Sequence, residues 1–248
     1  MFMRQIKLVI EYEGTNYHGW QIQPHVRTIQ EEISKKISQM TRERVTLLGA
    51  GRTDAGVHAW GQVACFQTNS RIPLEGFYRG LNSLLPPDIV IKSVEEVAEN
   101  FHPQFSARSK IYQYIILNQK VPSAIHRHFS WHIPCPLDVS AMQKAADCLV
   151  GRKNFSSFQA ADDEPTDPVR EILRAQWIVR EEVFLDFFIE ADGFLKHMVR
   201  NIVGTLVDVG RGKISVADFQ EILEAKDRRR AGRTAPPQGL FLVAIKYD

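Results

Sequence analysis

Alternation marks the start of the chain. Ile6, Leu8, Ile10 and Tyr12 are separated by Lys7, Val9 and Glu11, a period of two that predicts a strand with one buried face. After a loop over 14–24 rich in aromatics and amides, the period lengthens: Ile29, Ile33, Ile37 and Met40 fall on one side of a helix. Thr28-x-x-Glu31 in front of them reads as a capping box. Strands are predicted over 44–48 and 61–67. A helix over 74–84 carries Leu74, Phe77, Leu81 and Leu84 and stops at Pro86-Pro87, and a strand follows over 89–94. Strand–helix–strand–strand–helix–strand is the split βαβ order of ferredoxin-like and RNA-recognition folds.

The second half repeats that order with insertions. A strand is predicted over 110–117 and an extra one over 128–133. Asp138 caps a helix with Met142, Ala145, Ala146 and Leu149 inward, closed by Gly151. Segments 171–180 and 183–190 form a hairpin, and 194–209 a helix with Leu195, Met198, Val199, Ile202 and Leu206 inward. A short capped helix over 215–224 and a strand over 240–247 finish the chain. The expected fold is α+β: two ferredoxin-like, RRM-like βαββαβ halves, antiparallel sheets joined around a central cleft, helices on the outer faces. The halves are 1–104 and 105–248, with the hinge in 101–108. A cleft between two such halves is the natural ligand site.

Composition narrows the partner classes. The 248 residues are 44% hydrophobic and 24% charged, with a mean hydropathy of −0.23, a globular balance. No apolar run reaches the length of a membrane span, and the first residues lack the apolar core of a signal peptide, so the expectation is a cytoplasmic protein with no membrane partner. Three cysteines, odd in number and without a Cys-x-x-Cys pair, predict free thiols and no zinc site. A net charge of +2 is too mild to identify a polyanionic partner. Local clustering says more: Lys226, Arg228, Arg229, Arg230 and Arg233 crowd one stretch, which either neutralises phosphates or is a solvated helix end.

The stretch with the most chemistry is Gly49-Ala-Gly-Arg-Thr-Asp-Ala-Gly-Val-His-Ala59, between two predicted strands. Its three glycines permit tight turns. They set Asp54 on a platform of small residues that leaves room for a planar ligand. Arg52, two positions away, favours the ionised carboxylate. The plain alternative is a hairpin connection with a solvated Asp. Nucleotide-loop readings fail on spacing: Gly49-x-Gly51-x-x-Asp54 lacks the third glycine of the dinucleotide fingerprint, and Val57-His58 stands where a P-loop needs Lys-Ser/Thr. His58 is expected to pack or bind backbone.

Other constellations carry less. His126, His128 and His132 have no helical spacing and no Cys or acidic partner, so no metal is expected. Asp162, Asp163, Glu164 and Asp167, interleaved with Pro165 and Pro168, read as an exposed loop. Ser156 and Ser157 lack a nucleophile elbow. Tyr112 and Tyr114 share one face of their strand, where they pack or, on a cleft, stack on a base. Arg200, on an apolar helix, either reaches outward or needs a carboxylate.

Six collinear pieces resemble one family. They are Tyr12-x-Gly14-x-x-Tyr17-His-Gly-Trp20-Gln-x-Gln23, the Asp54 loop, Phe101-His-x-x-Phe105-Ser-Ala, Phe155-Ser-Ser-Phe158, Gly193-Phe-Leu-x-His-Met-Val-Arg-Asn-Ile-Val-Gly204 and Ala235-Pro-Pro-x-Gly-Leu240. Together they are similar to the TruA-type tRNA pseudouridine synthase family, tRNA pseudouridine synthase I. Lys153-Asn154 departs from the His-Asp the family often has there. The resemblance implies isomerisation of uridine to pseudouridine in the anticodon stem-loop of tRNA, at roughly positions 38 to 40, from which a base must be displaced. It implies Asp54 as the catalytic aspartate and Tyr112 as the residue stacking on the uracil. Arg200 resembles the cleft arginine that pairs with the aspartate, and Leu240 an apolar floor under the base. On chemical grounds Arg52 joins Arg200 in keeping Asp54 ionised and stabilising negative charge on the detached uracil. No cofactor and no metal are implied, nor any DNA partner, and the family works as a homodimer on tRNA. The alternatives left open are a related synthase acting on another RNA and a non-catalytic tRNA-binding or chaperone protein.

Overall fold

The computed structural model describes residues 3–161 and 167–247; the acidic run at Asp162, Asp163 and Glu164 lies outside them. In chain order the elements are β1 (Arg4–Tyr12), α1 (Ile29–Thr41), β2 (Leu48–Gly49), β3 (His58–Thr68), α2 (Leu74–Leu84), β4 (Ile89–Val97), β5 (Ser109–Asn118), β6 (Trp131–Ile133), α3 (Val139–Asp147), β7 (Gly151–Asn154), β8 (Val169–Arg180), β9 (Phe184–Ala191), α4 (Met198–Gly210), α5 (Val216–Ala225) and β10 (Leu240–Lys246). The fold is α+β with mostly antiparallel pairing. Contacts divide the chain into a first unit, which ends at Arg108 and resumes at Phe241, and a second, Ser109–Leu240.

In the first unit the strand order is β4-β1-β3, with β2 on the other edge of β3. The first βαβ crossover is therefore split by β3 and the second by β1, as the periodicity predicts. Ile6, Leu8 and Ile10 of β1, Ile29, Ile33 and Ile37 of α1, and Phe77 and Leu81 of α2 are all fully buried. Phe66 and Phe77 meet edge to face, with ring centroids 5.5 Å apart.

Two local expectations fail in this unit. Thr28 makes no cap: its Oγ1 is buried without a hydrogen-bond partner. The first N–H groups of α1 are met instead by loop carbonyls, Ile29 N donating to Gly19 O and Gln30 N to Trp20 O. The strand expected over 44–48 shrinks to Leu48–Gly49 because side chains take its ladder partners. Gln30 Nε2 donates to Leu47 O at 2.8 Å, and Glu43 Oε1 accepts from Asn69 N at 3.2 Å. The rest of that edge is used by the last strand, grouped by sequence with the second half: Phe241 and Leu242 of β10 pair in parallel with His58 and Ala59.

The second unit runs β5-β9-β8-β7, with β6 parallel to β5. The β8–β9 hairpin follows the predicted segments; β7 is an addition. Asp138 accepts from Ala141 N, and Ser215 and Asp218 complete a capping box at α5. The extra strand over 128–133 contracts to Trp131–Ile133, with His126–His128 in a single turn. α4 begins only at Met198, because His197 takes a left-handed conformation at φ 60°. Phe194 and Leu195 therefore precede the helix.

Candidate active site

The Asp54 loop is pinned along its length within the first unit. Ala50 N donates to Val63 O at 2.8 Å and Gln62 Nε2 to Gly51 O at 2.9 Å. Thr53 is the central anchor: its carbonyl accepts from Trp20 N at 3.1 Å, and its hydroxyl lies 2.8 Å from Tyr12 Oη. Val57 N donates to Asp54 O, closing a tight turn that needs φ +77° at Gly56. Asp54 itself is half-buried.

The aromatic loop before α1 supplies the wall. Gly19, at φ +85°, brings its backbone so close that a Cβ would stand 2.4 Å from Thr53 O. Gly14 N donates to His58 Nδ1 at 3.0 Å, so His58 binds backbone as expected. Tyr17 Oη donates to Asp88 Oδ1 at 2.6 Å with the Arg27 guanidinium over its ring. Burial, then the Asp88 bond, pushes the Tyr17 pKa up. Burial also raises Tyr12, keeping its hydroxyl protonated.

One feature of the loop differs from the expectation. The space left by Gly49 is not open to a ligand: the Trp20 indole fills it, 2.5 Å from where a Cβ would stand. Arg52 is exposed. Tyr12, Trp20 and Thr53 are the supporting residues that sequence reasoning missed. Tyr12→Phe should remove the partner of a buried hydroxyl and cost about 1–2 kcal/mol of stability, read by urea denaturation.

In the second unit, Tyr112 is buried on β5, edge-on to Phe194 with centroids 5.1 Å apart. Tyr114, on the same face, donates to Pro236 O at 2.8 Å. Arg200 lies in the first turn of α4, half-buried, its Nε donating to Ala235 O at 2.8 Å while Ala235 N returns a bond to Arg200 O. Leu240 is buried at the start of β10.

A strap over 228–236 is fastened to α4 by a polar network. Buried Asn201 accepts from Arg228 Nη2 at 3.0 Å and from Thr234 Oγ1 at 2.7 Å, and donates to Phe158 O. Gly232 N donates to Thr205 Oγ1 at 3.0 Å. The signal for this was legible in principle: Asn201 and Thr205 are polar residues four apart, set among the apolar positions of α4.

The network divides the basic run into structural and surface members. Arg228 is spent on the strap, its Nη1 donating to the Ala231 and Gly232 carbonyls. Arg229 is clamped to Asp227 at 2.8 Å, which holds the Asp227 carboxyl down to about 2. Arg230 reaches Glu221 at 3.4 Å, and the Arg233 guanidinium covers the Trp131 ring at 4.6 Å. Arg228, Arg229, Arg233, His197, Asn201 and Thr234 line part of an open cavity of ≈ 450 Å3. Among the described residues no three His, Cys, Asp or Glu side chains gather as metal ligands, and no helix is long and apolar enough to cross a membrane. Cys65, Cys135 and Cys148 are free thiols, and burial raises the Cys65 pKa to about 11.

Known proteins match the chain nearly end to end. A family profile described as "tRNA pseudouridine synthase" covers residues 8–106 and 145–248. The "tRNA pseudouridine synthase A" of Thermoanaerobacter sp. (strain X514) is 49% identical over 245 residues, 99% of this chain and 100% of that protein. That of Acetivibrio thermocellus is 48% identical with the same coverage. That of Myxococcus xanthus is 45% identical over 99% of this chain and 92% of its own length. The chain is thus an isomerase that converts uridine to pseudouridine. It belongs to the tRNA pseudouridine synthase family.

Proposed function

We propose that the protein isomerises uridine in the anticodon stem-loop of tRNA, at roughly positions 38 to 40, with Asp54 as its catalytic carboxylate. It works in the cytoplasm as a homodimer. The observation that carries the reading is the Asp54 loop, whose neighbours Thr53 and Val57 are tied down on both sides while Asp54 keeps partial access to solvent. A carboxylate needs that combination to meet a substrate in one fixed geometry.

The chemistry follows from the bonds exchanged. The N1–C1′ glycosidic bond breaks, the uracil turns, and a C5–C1′ bond forms; N1 gains a proton and C5 loses one. Asp54 either attacks the anomeric carbon or takes a proton from the sugar. Tyr112 stacks on the uracil, and its hydroxyl assists removal of the C5 proton. Arg200, with Arg52, balances negative charge on the detached base. Leu240 supports the base from below. No redox step and no external energy source are needed.

The test is to map pseudouridine in an unmodified tRNA transcript after incubation with the purified protein. Conversion confined to uridines near positions 38 to 40 is the expected result; conversion elsewhere, or none, refutes the assignment. The basic run supplies a further prediction. Arg229 and Arg230 are the members whose loss leaves the strap intact, so the double change Arg229→Gln/Arg230→Gln should lower the slope of log binding constant against log salt by about 1–2. An unchanged slope would remove these arginines from the phosphate contacts.

A further inference from the structure

β3 departs from regularity beside the Asp54 loop. Ile10 pairs with Gln62 but Tyr12 with Ala59, so Trp60 and Gly61 together face the single residue Glu11 in a β-bulge. Bulges re-aim side chains, and this one leaves Trp60 48% exposed. Gly61 makes the arrangement possible: a Cβ there would stand 2.6 Å from Val243 O of β10. Apart from Trp60, only Gln67 is exposed along the whole strand.

The indole is backed by two further rings. Trp60 lies nearly parallel to Phe241, interplanar angle 10° and centroids 5.5 Å apart. Phe241 in turn stacks on His58 at 4.7 Å and 23°. Both inner rings are buried, at 3% and 1% exposure, and His58 is fixed by the Gly14 N–H. Phe241 is the only ring Trp60 touches among the described residues. A lone exposed apolar side chain is ordinary on a protein surface. A flat ring held in one orientation by a buried stack, with its other face uncovered, is a different object.

We infer that Trp60 is a stacking platform for an unpaired nucleobase of the RNA substrate, next to the target nucleotide. Aromatic faces accept any base, which suits a nucleotide displaced alongside the one that reacts. Trp60 is six residues from Asp54, so their Cα atoms lie within about 22 Å even if the chain between them were fully extended, the span of a few nucleotides. A protein partner would need a contiguous apolar patch, and β3 exposes no second apolar side chain to build one. This inference rests on the reading of the protein as a tRNA-modifying enzyme.

The test uses the full chain and an unmodified tRNA transcript, with Trp60→Leu to remove the π face and Trp60→Phe to keep one. Trp60→Leu should weaken tRNA binding about tenfold, with turnover at saturation and melting temperature near wild type, while Trp60→Phe retains most of the affinity. Wild-type affinity in Trp60→Leu overturns the inference, as does equal weakening by both variants. A loss that tracks a changed sedimentation coefficient also overturns it, in favour of a contact between protein chains. Failure of the wild-type protein itself to bind tRNA would overturn the underlying reading as well.

Discussion

Gly204→Ala should destabilise the protein by about 3–5 kcal/mol and lower its melting temperature by roughly 10 °C. In a free helix the same change would stabilise by about 1 kcal/mol, because alanine is the better helix former. Here the strap crosses α4 at backbone contact: a Cβ on Gly204 would stand 1.7 Å from Arg233 O and 3.3 Å from Ala235 N. Neither helix nor carbonyl can give that much, so the strap must lift. Lifting it breaks the bonds from Gly232 N to Thr205 and from Thr234 to Asn201, and the exchange between Arg200 and Ala235. Polar groups buried without partners cost about 1–3 kcal/mol each. Differential scanning calorimetry of the variant decides the matter, with Gly212→Ala as comparison: Gly212 has φ +68° but nothing within 4 Å, so its strain alone costs about 1 kcal/mol. Equal melting temperatures for Gly204→Ala and wild type would mean the strap is not clamped there.

Local periodicity and long-range pairing were not equally readable. The alternation of Ile6, Leu8 and Ile10, the helical faces of α1, α2 and α3, and the caps at Asp138 and Ser215 depend on residues within a few positions of each other. They appear as expected. Thr28 fails because the α1 N-terminus is met by carbonyls of Gly19 and Trp20, a tertiary competitor invisible to a four-residue motif. β2 fails because Gln30 captures Leu47 O. Nothing local in the last strand foretells its parallel pairing with β3. At the site, the glycine loop and Asp54 stood out by composition. Their anchor did not: Tyr12 and Thr53 are 41 positions apart, and Trp20 fills the hollow at Gly49 from 29 positions away.

Asp54→Asn should leave the fold and tRNA affinity close to wild type and reduce turnover at least about 10³-fold. The amide keeps the size of the carboxylate, and the anchors of the loop are backbone groups and Thr53, none of which it disturbs. Loss of a negative charge beside a polyanion gives no reason for weaker binding. What the amide lacks is an ionised oxygen able to attack the anomeric carbon or accept a sugar proton, and both routes to pseudouridine require one. Because carbon five of the uracil gives up its hydrogen only after the new carbon–carbon bond forms, release of tritium from that position reports completed isomerisation. The decisive measurement is single-turnover tritium release from carbon-five-labelled tRNA, with enzyme in sufficient excess that all RNA is bound. Wild-type protein should release the label of the target uridines while Asp54→Asn, equally saturated, releases none above the enzyme-free control; release by the variant within about tenfold of the wild-type rate would contradict the central role given to Asp54.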